Sequence, residues 1–139
     1  MLFDLLMRYT PYLALVIRVV VGIAFVMHGY PKLKNPQGTL KWTGGLSVPA
    51  AATVAAIVLE FFGGIALILG FLVPIVAFFI LLEMIGNIAL KKTKMKAPYL
   101  TGENAPTNAY ETDVLYILLA LAMMVLGAGP FSLSAALGI

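Results

Sequence analysis

The sequence contains no cysteine. That excludes disulfides, thiol redox chemistry and cysteine-ligated zinc or iron–sulfur centres on this chain. It has one histidine, His28, too few for an ordinary histidine-rich metal site within one subunit, so no metal site is expected. Charge is scarce too: 11% of the 139 residues are Asp, Glu, Lys or Arg, against about a quarter in soluble domains. Internal repeats and low-complexity tracts are missing.

What is present instead is apolar. Hydrophobic residues make up 62% of the chain and the mean hydropathy is +1.03. A chain this small and this apolar has too few polar side chains to cover itself in water, so a lipid bilayer is its expected solvent. The net charge of +3 does not point to nucleic acid. Seven of the nine basic residues are lysines confined to two loops between apolar runs, a pattern of membrane topology. The first apolar run carries Arg18 in its interior and lacks a small-x-small cleavage site, so it is expected to stay as a span and not to be a cleaved signal.

Four apolar runs, at about 11–30, 48–69, 73–90 and 109–126, predict an all-α integral membrane four-helix bundle forming one domain over 1–139. Thr10-Pro11 reads as a cap with proline in the first turn, and Pro31 as the end of the first span. Lys32 to Gly45 reads as a loop with an interfacial tryptophan, Trp42. Ser47 offers the next cap, with Pro49 in the first turn. Gly70, Phe71 and Leu72 leave only a tight antiparallel hairpin between spans two and three. Asn108 and Glu111 have capping-box spacing before span four, and Gly127, Gly129 and Pro130 end it. The apolar tail from Phe131 to Ile139 is expected at the interface. Both lysine-rich loops, 31–47 and 91–108, fall on one side, which the positive-inside rule makes cytoplasmic, with both termini outside the cell membrane.

Three ionisable residues interrupt the runs. Counted from their helix ends, Arg18, Glu60 and Glu83 each lie about 12–17 Å into a span, which predicts one cluster near the bilayer midplane. Asn87, one turn after Glu83, extends it, while Gly63 and Gly64 after Glu60 and Gly22 after Arg18 permit close helix approach. The cluster reads either as a structural ion pair locking the bundle or as a proton-linked or ligand-binding site. At the lysine-bearing end, His28 reads as an interfacial histidine or as the partner of Glu111 and Asp113 in a proton entry point. Phe61-Phe62 and Phe78-Phe79 read as lipid-facing, or as walls for a flat apolar ligand such as a quinone.

The chain resembles the DoxX family of small four-span membrane proteins. The matching pieces are Arg18, His28-Gly29 with Lys32-Leu33, Gly45-Leu46-Ser47-Val48-Pro49, Leu59-Glu60-Phe61-Phe62-Gly63-Gly64, Leu69-Gly70, Tyr110-Glu111 and Gly127-Ala128-Gly129-Pro130-Phe131-Ser132-Leu133. They span roughly residues 13 to 134. Glu83 is not part of the family pattern. The resemblance implies kinship with the membrane subunit of a thiosulfate:quinone oxidoreductase.

The expectation is therefore a membrane subunit supporting quinone-linked electron transfer, with no intrinsic cofactor and with Arg18, Glu60 and Glu83 handling the quinone or its protons. An oxidoreductase partner subunit would deliver the electrons. Two other readings stay open. One is a non-catalytic anchor or assembly partner of an oxidoreductase complex. The other is a proton-coupled small-solute transporter, which would require a homo-oligomer.

Overall fold

A computed structural model describes residues 1–100 and 109–139. The chain folds into helices α1 (Leu2–Arg8), α2 (Thr10–Lys34), α3 (Pro36–Gly45), α4 (Ala50–Leu69), α5 (Val73–Thr93), α6 (Glu111–Leu126) and α7 (Leu133–Leu137). α2, α4 and α5 are each long and apolar enough to cross a membrane. α6 has 16 residues, about 24 Å of helix. The fold is an all-helical membrane bundle, in which every spanning segment satisfies its own backbone.

α2 packs along α4, and α5 along α6, with α6 also touching α2. Buried positions on α2 are Ala14, Arg18, Val21, Gly22, Phe25 and Gly29, one stripe at three- and four-residue spacing. Val21, Phe25, Leu67, Val73, Ala77, Ile80, Met84, Ala120 and Met123 form the centre of the bundle. Glycines set the α2–α4 distance. A Cβ on Gly22 would lie 2.7 Å from the Gly64 oxygen, and one on Gly64 would lie 2.8 Å from the Gly22 oxygen. In lipid, such backbone approach replaces the hydrophobic drive that packs helices in water.

Several boundaries differ from the sequence expectation. Pro31 does not end α2, which continues to Lys34. The proline stands in the last turn, where a single lost N–H is tolerated, and its carbonyl still accepts from Asn35 N–H at 3.1 Å. The expected loop 32–45 holds a ten-residue helix, α3, capped by the Asn35 side chain, which accepts from Gly38 N–H. Ser47 is not a cap. It is a left-handed turn residue (φ 62°), and α4 begins at Ala50 after Pro49. α5 extends to Thr93, past the expected 90. Glu111 opens α6 as its first residue instead of standing three positions inside it. Its expected capping partner Asn108 lies outside the described residues.

The α4–α5 hairpin has the expected tightness. Gly70 (φ 72°) and Leu72 (φ 49°) are both left-handed. For leucine that conformation is strained, and Leu72 N–H is held by Ser134 Oγ at 3.0 Å. The tail thus folds back as α7 onto the hairpin, with Ser134 N–H donating to the Gly70 oxygen at 3.2 Å.

Candidate functional site

Arg18 is 1% exposed, and it is not with the glutamates. Its guanidinium donates to the carbonyls of Leu67 (2.9 Å), Ile68 (2.7 Å), Ala128 (3.1 Å) and Phe131. The first two are carbonyls in the last turn of α4, where regular helical partners run out, and Leu67 also accepts from Gly70 N–H at 3.1 Å. The others belong to the turn after α6. Arg18 is therefore a clamp joining α2, the end of α4 and the turn leading to α7. The midplane cluster of Arg18, Glu60 and Glu83 does not form as expected, because α2 and α4 are staggered. Gly29 of α2, not Arg18, lies against Glu60 and Phe61, and Gly70 lies against Arg18. Arg18 and Gly29 are eleven residues apart on α2, roughly 16 Å along its axis.

Glu60 sits in a widened turn of α4, Leu59–Gly63, where the helix adopts π geometry. Such insertions are frequent at functional sites because they redirect side chains out of the regular helical stripe. Glu60 is 5% exposed, and its Oε1 accepts from Lys32 Nζ at 2.5 Å. Glu83 on α5 lines the same cleft as Glu60. The Oε2 atoms of both carboxyls are buried and have no partner among the described residues. A buried acceptor without a donor is costly, and a carboxyl in that position gains by keeping its proton.

These residues line a cleft of about 1470 Å³ at the lysine-bearing end. His28, Glu60, Glu83, Asn87 and Asp113 all contribute to it. Glu111 is not among its lining residues, so the expected trio of His28, Glu111 and Asp113 is reduced to two. Asp113 is itself engaged: its Oδ2 accepts from Lys91 Nζ at 2.6 Å. At the inner end Phe25 and Tyr116 meet edge to face, 5.2 Å between centroids. Phe79 also lines the cleft, while Phe61 and Phe62 contact each other elsewhere.

One side of the cleft is lipid-like. The first half of α4 (Ala50–Val58) and the second half of α5 diverge, and the gap is walled by Ala52, Ala55, Phe79, Leu82, Gly86 and Ala89, all exposed on the chain's surface. The end wall is α3, whose Thr43 Oγ1 lies 2.7 Å from Thr53 Oγ1 on α4. Among the described residues no three His, Asp or Glu side chains come together to hold a metal ion.

Sequence reasoning missed the ion pairs of Lys32 and Lys91, which it placed in the lysine-rich loops. Both continue inward stripes: Phe25, Gly29 and Lys32 on α2, and Ile80, Met84, Asn87 and Lys91 on α5, each at helical spacing. That spacing was the available signal, hidden by ending the helices too early.

The DoxX family pattern matches residues 13–93, from α2 through the Lys32–Glu60 pair to the end of α5. The chain belongs to the DoxX family. Among its relatives, CatD of Bacillus subtilis (strain 168), provisionally named an oxidoreductase, is 30% identical over 114 residues, 82% of this chain and 78% of its own length. Inner membrane proteins YphA and YqjF of Escherichia coli (strain K12) are 33% identical over 73 residues and 35% over 65. The first match covers 50% of this chain and 52% of YphA, the second 47% and 50% of YqjF. No solved structure matches this DoxX chain significantly. The matched range covers the positions of Arg18, Lys32, Glu60 and Glu83 and ends before Asp113.

Proposed function

We propose that this DoxX protein is a membrane subunit of a quinone-linked oxidoreductase, with the quinone head group seated in the cleft beside Glu60 and Glu83. The observation that carries the reading is one cavity with an apolar side open towards lipid and, further in, buried carboxyl oxygens without a partner among the described residues. A membrane quinone needs both, since its tail and ring travel in hydrocarbon while its oxygens exchange protons. The residues fit such a group. Phe25, Phe79 and Tyr116 offer ring contacts, and Glu60 and Glu83 offer two sites at which a proton is held or passed. Lys32 keeps Glu60 oriented and its charge compensated.

With no cysteine and a single histidine, the chain takes its electrons from a partner subunit or directly from a donor such as a reduced inorganic sulfur compound. The provisional name of CatD supports this class of reaction. In the cell membrane the lysine-bearing end faces the cytoplasm and both termini lie outside, by the positive-inside rule. The cleft mouth then supplies protons from the cytoplasmic side.

The test is mass spectrometry of lipid extracted from the purified protein. Quinone should be retained at close to one molecule per chain and be depleted in Glu60→Gln. Retention no greater than in an unrelated membrane protein purified in parallel would refute the proposal. The opening of the cleft at one end also favours a second reading, a proton-coupled small-solute transporter. Solute-dependent stabilisation of quinone-free protein would mark that alternative.

A further inference from the structure

We propose that the ligand's apolar tail leaves the cleft sideways, through the seam between α4 and α5, and that Gly86 sets the width of this passage, an inference that rests on the cleft being a quinone site. The two helices meet in the half next to their hairpin. There a Cβ on Gly63 would stand 3.3 Å from Val76 Cγ1. Beyond that point they part, and Ala50–Val58 scarcely touches α5, whereas α2 stays packed on α4 and α5 on α6. Gly86 lies ten residues past Val76, roughly 15 Å further along α5. A Cβ placed on it meets nothing within 4 Å among the described residues. Ala52, Ala55 and Ala89 are exposed and line the same opening. Gly86 is also five residues before Lys91, about 7.5 Å deeper than the lysines at the membrane surface, so the seam opens among acyl chains.

Small residues on two parting helices do not by themselves make a passage. Glu60 gives this one a destination. It is 5% exposed, lines the cleft behind the seam, and its Oε2 has no partner among the described residues. The cleft's volume of about 1470 Å³ exceeds the ~300–1,000 Å³ of ordinary small-ligand pockets, which leaves room for a ring and the first part of a chain. A tail running instead to the cytoplasmic mouth would pass Asn35, Thr39, Lys91 and Lys94, trading hydrocarbon for polar surroundings. Through the seam it never leaves lipid.

Gly86 then acts as a gauge. A bulky side chain there occupies the passage, and with no neighbour in its way it does so without forcing the helices apart. Such a side chain excludes the tail and spares the ring, whose place is deeper, beside Glu60 and Glu83. Ala55 offers the same control from the facing wall.

The test is calorimetry on the protein in detergent with two ligands, decylubiquinone and its tail-less parent, dimethoxy-methyl-benzoquinone. Each ligand is compared with itself across variants, so partition into micelles cancels. Gly86→Phe should weaken decylubiquinone about tenfold or more, the scale of overpacking, and leave the tail-less ring within about threefold of wild type. Ala55→Phe should repeat this pattern, and decides if Gly86→Phe does not fold. Lys94→Trp, which crowds the aqueous mouth, should leave both ligands within about threefold, and decides if the tail-less ring binds too weakly to measure. Parallel loss of both ligands in the Phe variants would overturn the inference, as would loss of decylubiquinone in Lys94→Trp alone. Unchanged binding of both ligands in the Phe variants would also overturn it, leaving the seam to bilayer lipid or a second copy of the chain and the quinone site standing. Binding of neither ligand to the wild type would overturn the quinone site together with the inference.

Discussion

Lys91 Nζ lies 2.6 Å from Asp113 Oδ2, joining α5 to α6, and Lys32 with Glu60 joins α2 to α4 at the same end of the bundle. In each pair a lysine from the last turns of one helix reaches a carboxylate on the helix packed against it. The pairs face a common cleft. They differ in surroundings, since Glu60 keeps a second, buried oxygen with no partner among the described residues, and no Asp113 oxygen is in that position.

Removing one member of the α5–α6 pair strands the other. Lys91→Ala should destabilise the folded protein by about 2 kcal/mol, below the ~3–5 kcal/mol of fully buried pairs because Lys91 retains contact with solvent. Pairing Lys91→Met with Asp113→Leu should recover most of that loss. Unfolding in mixed detergent, followed by circular dichroism, measures both. A double variant less stable than Lys91→Ala would count against this account of the pair.

Arg18 holds the opposite end together through four carbonyls on three segments. A lysine cannot reproduce the planar fork of donors, so Arg18→Lys should cost at least about 2 kcal/mol. Quinone bound per folded chain should be unchanged, because the clamp lies roughly 16 Å along α2 from the level of the carboxyl pair. Thermal unfolding and lipid extraction separate the two effects. Loss of quinone from folded Arg18→Lys would place Arg18 in the site after all.

Close helix approach makes a further pair of variants informative. A Cβ on Gly29 would sit 2.6 Å from the Phe61 nitrogen, backbone that cannot swing away, whereas a Cβ on Gly86 meets nothing within 4 Å. Gly29→Ala should therefore destabilise by about 1–3 kcal/mol through overpacking. Gly86→Ala should be neutral or stabilising by up to about 1 kcal/mol from helix propensity. Equal unfolding temperatures for the two variants would contradict the register of α2 on α4.

The bundle was legible because lipid imposes a coarse rule, long apolar runs punctuated by Gly70, Gly127 and Pro130. Finer features were not. Pro31 carries an ordinary stop signal, yet in the final turn of α2 its cost is small, and the helix that continues past it brings Lys32 to Glu60. The π turn at Leu59–Gly63, which packs against α2, has no composition that marks it in the sequence. The glutamates were found from the expense of charge in lipid. Arg18 was grouped with them by counting from helix ends, a count that stagger between helices invalidates. Its real partners are carbonyls, which no side-chain pattern reveals.

Topology can be read on a clean background because the chain has no native cysteine. Trp42→Cys on exposed α3 should react with a membrane-impermeant maleimide in inverted vesicles and stay unlabelled in intact cells or spheroplasts. Phe3→Cys on α1 should show the reverse. The opposite labelling pattern would invert the orientation and move the cleft mouth to the outer face.

The most direct measurement is photo-crosslinking with an azidoquinone in native membranes, followed by peptide mapping of the labelled chain. Label should concentrate on the cleft, on α5 around Phe79 to Asn87 and on α6 around Tyr116, and should fall when unmodified hydroquinone is added. Label confined to the hairpin end near Arg18, or spread evenly over the lipid-facing helices without competition, would contradict a quinone site at Glu60 and Glu83.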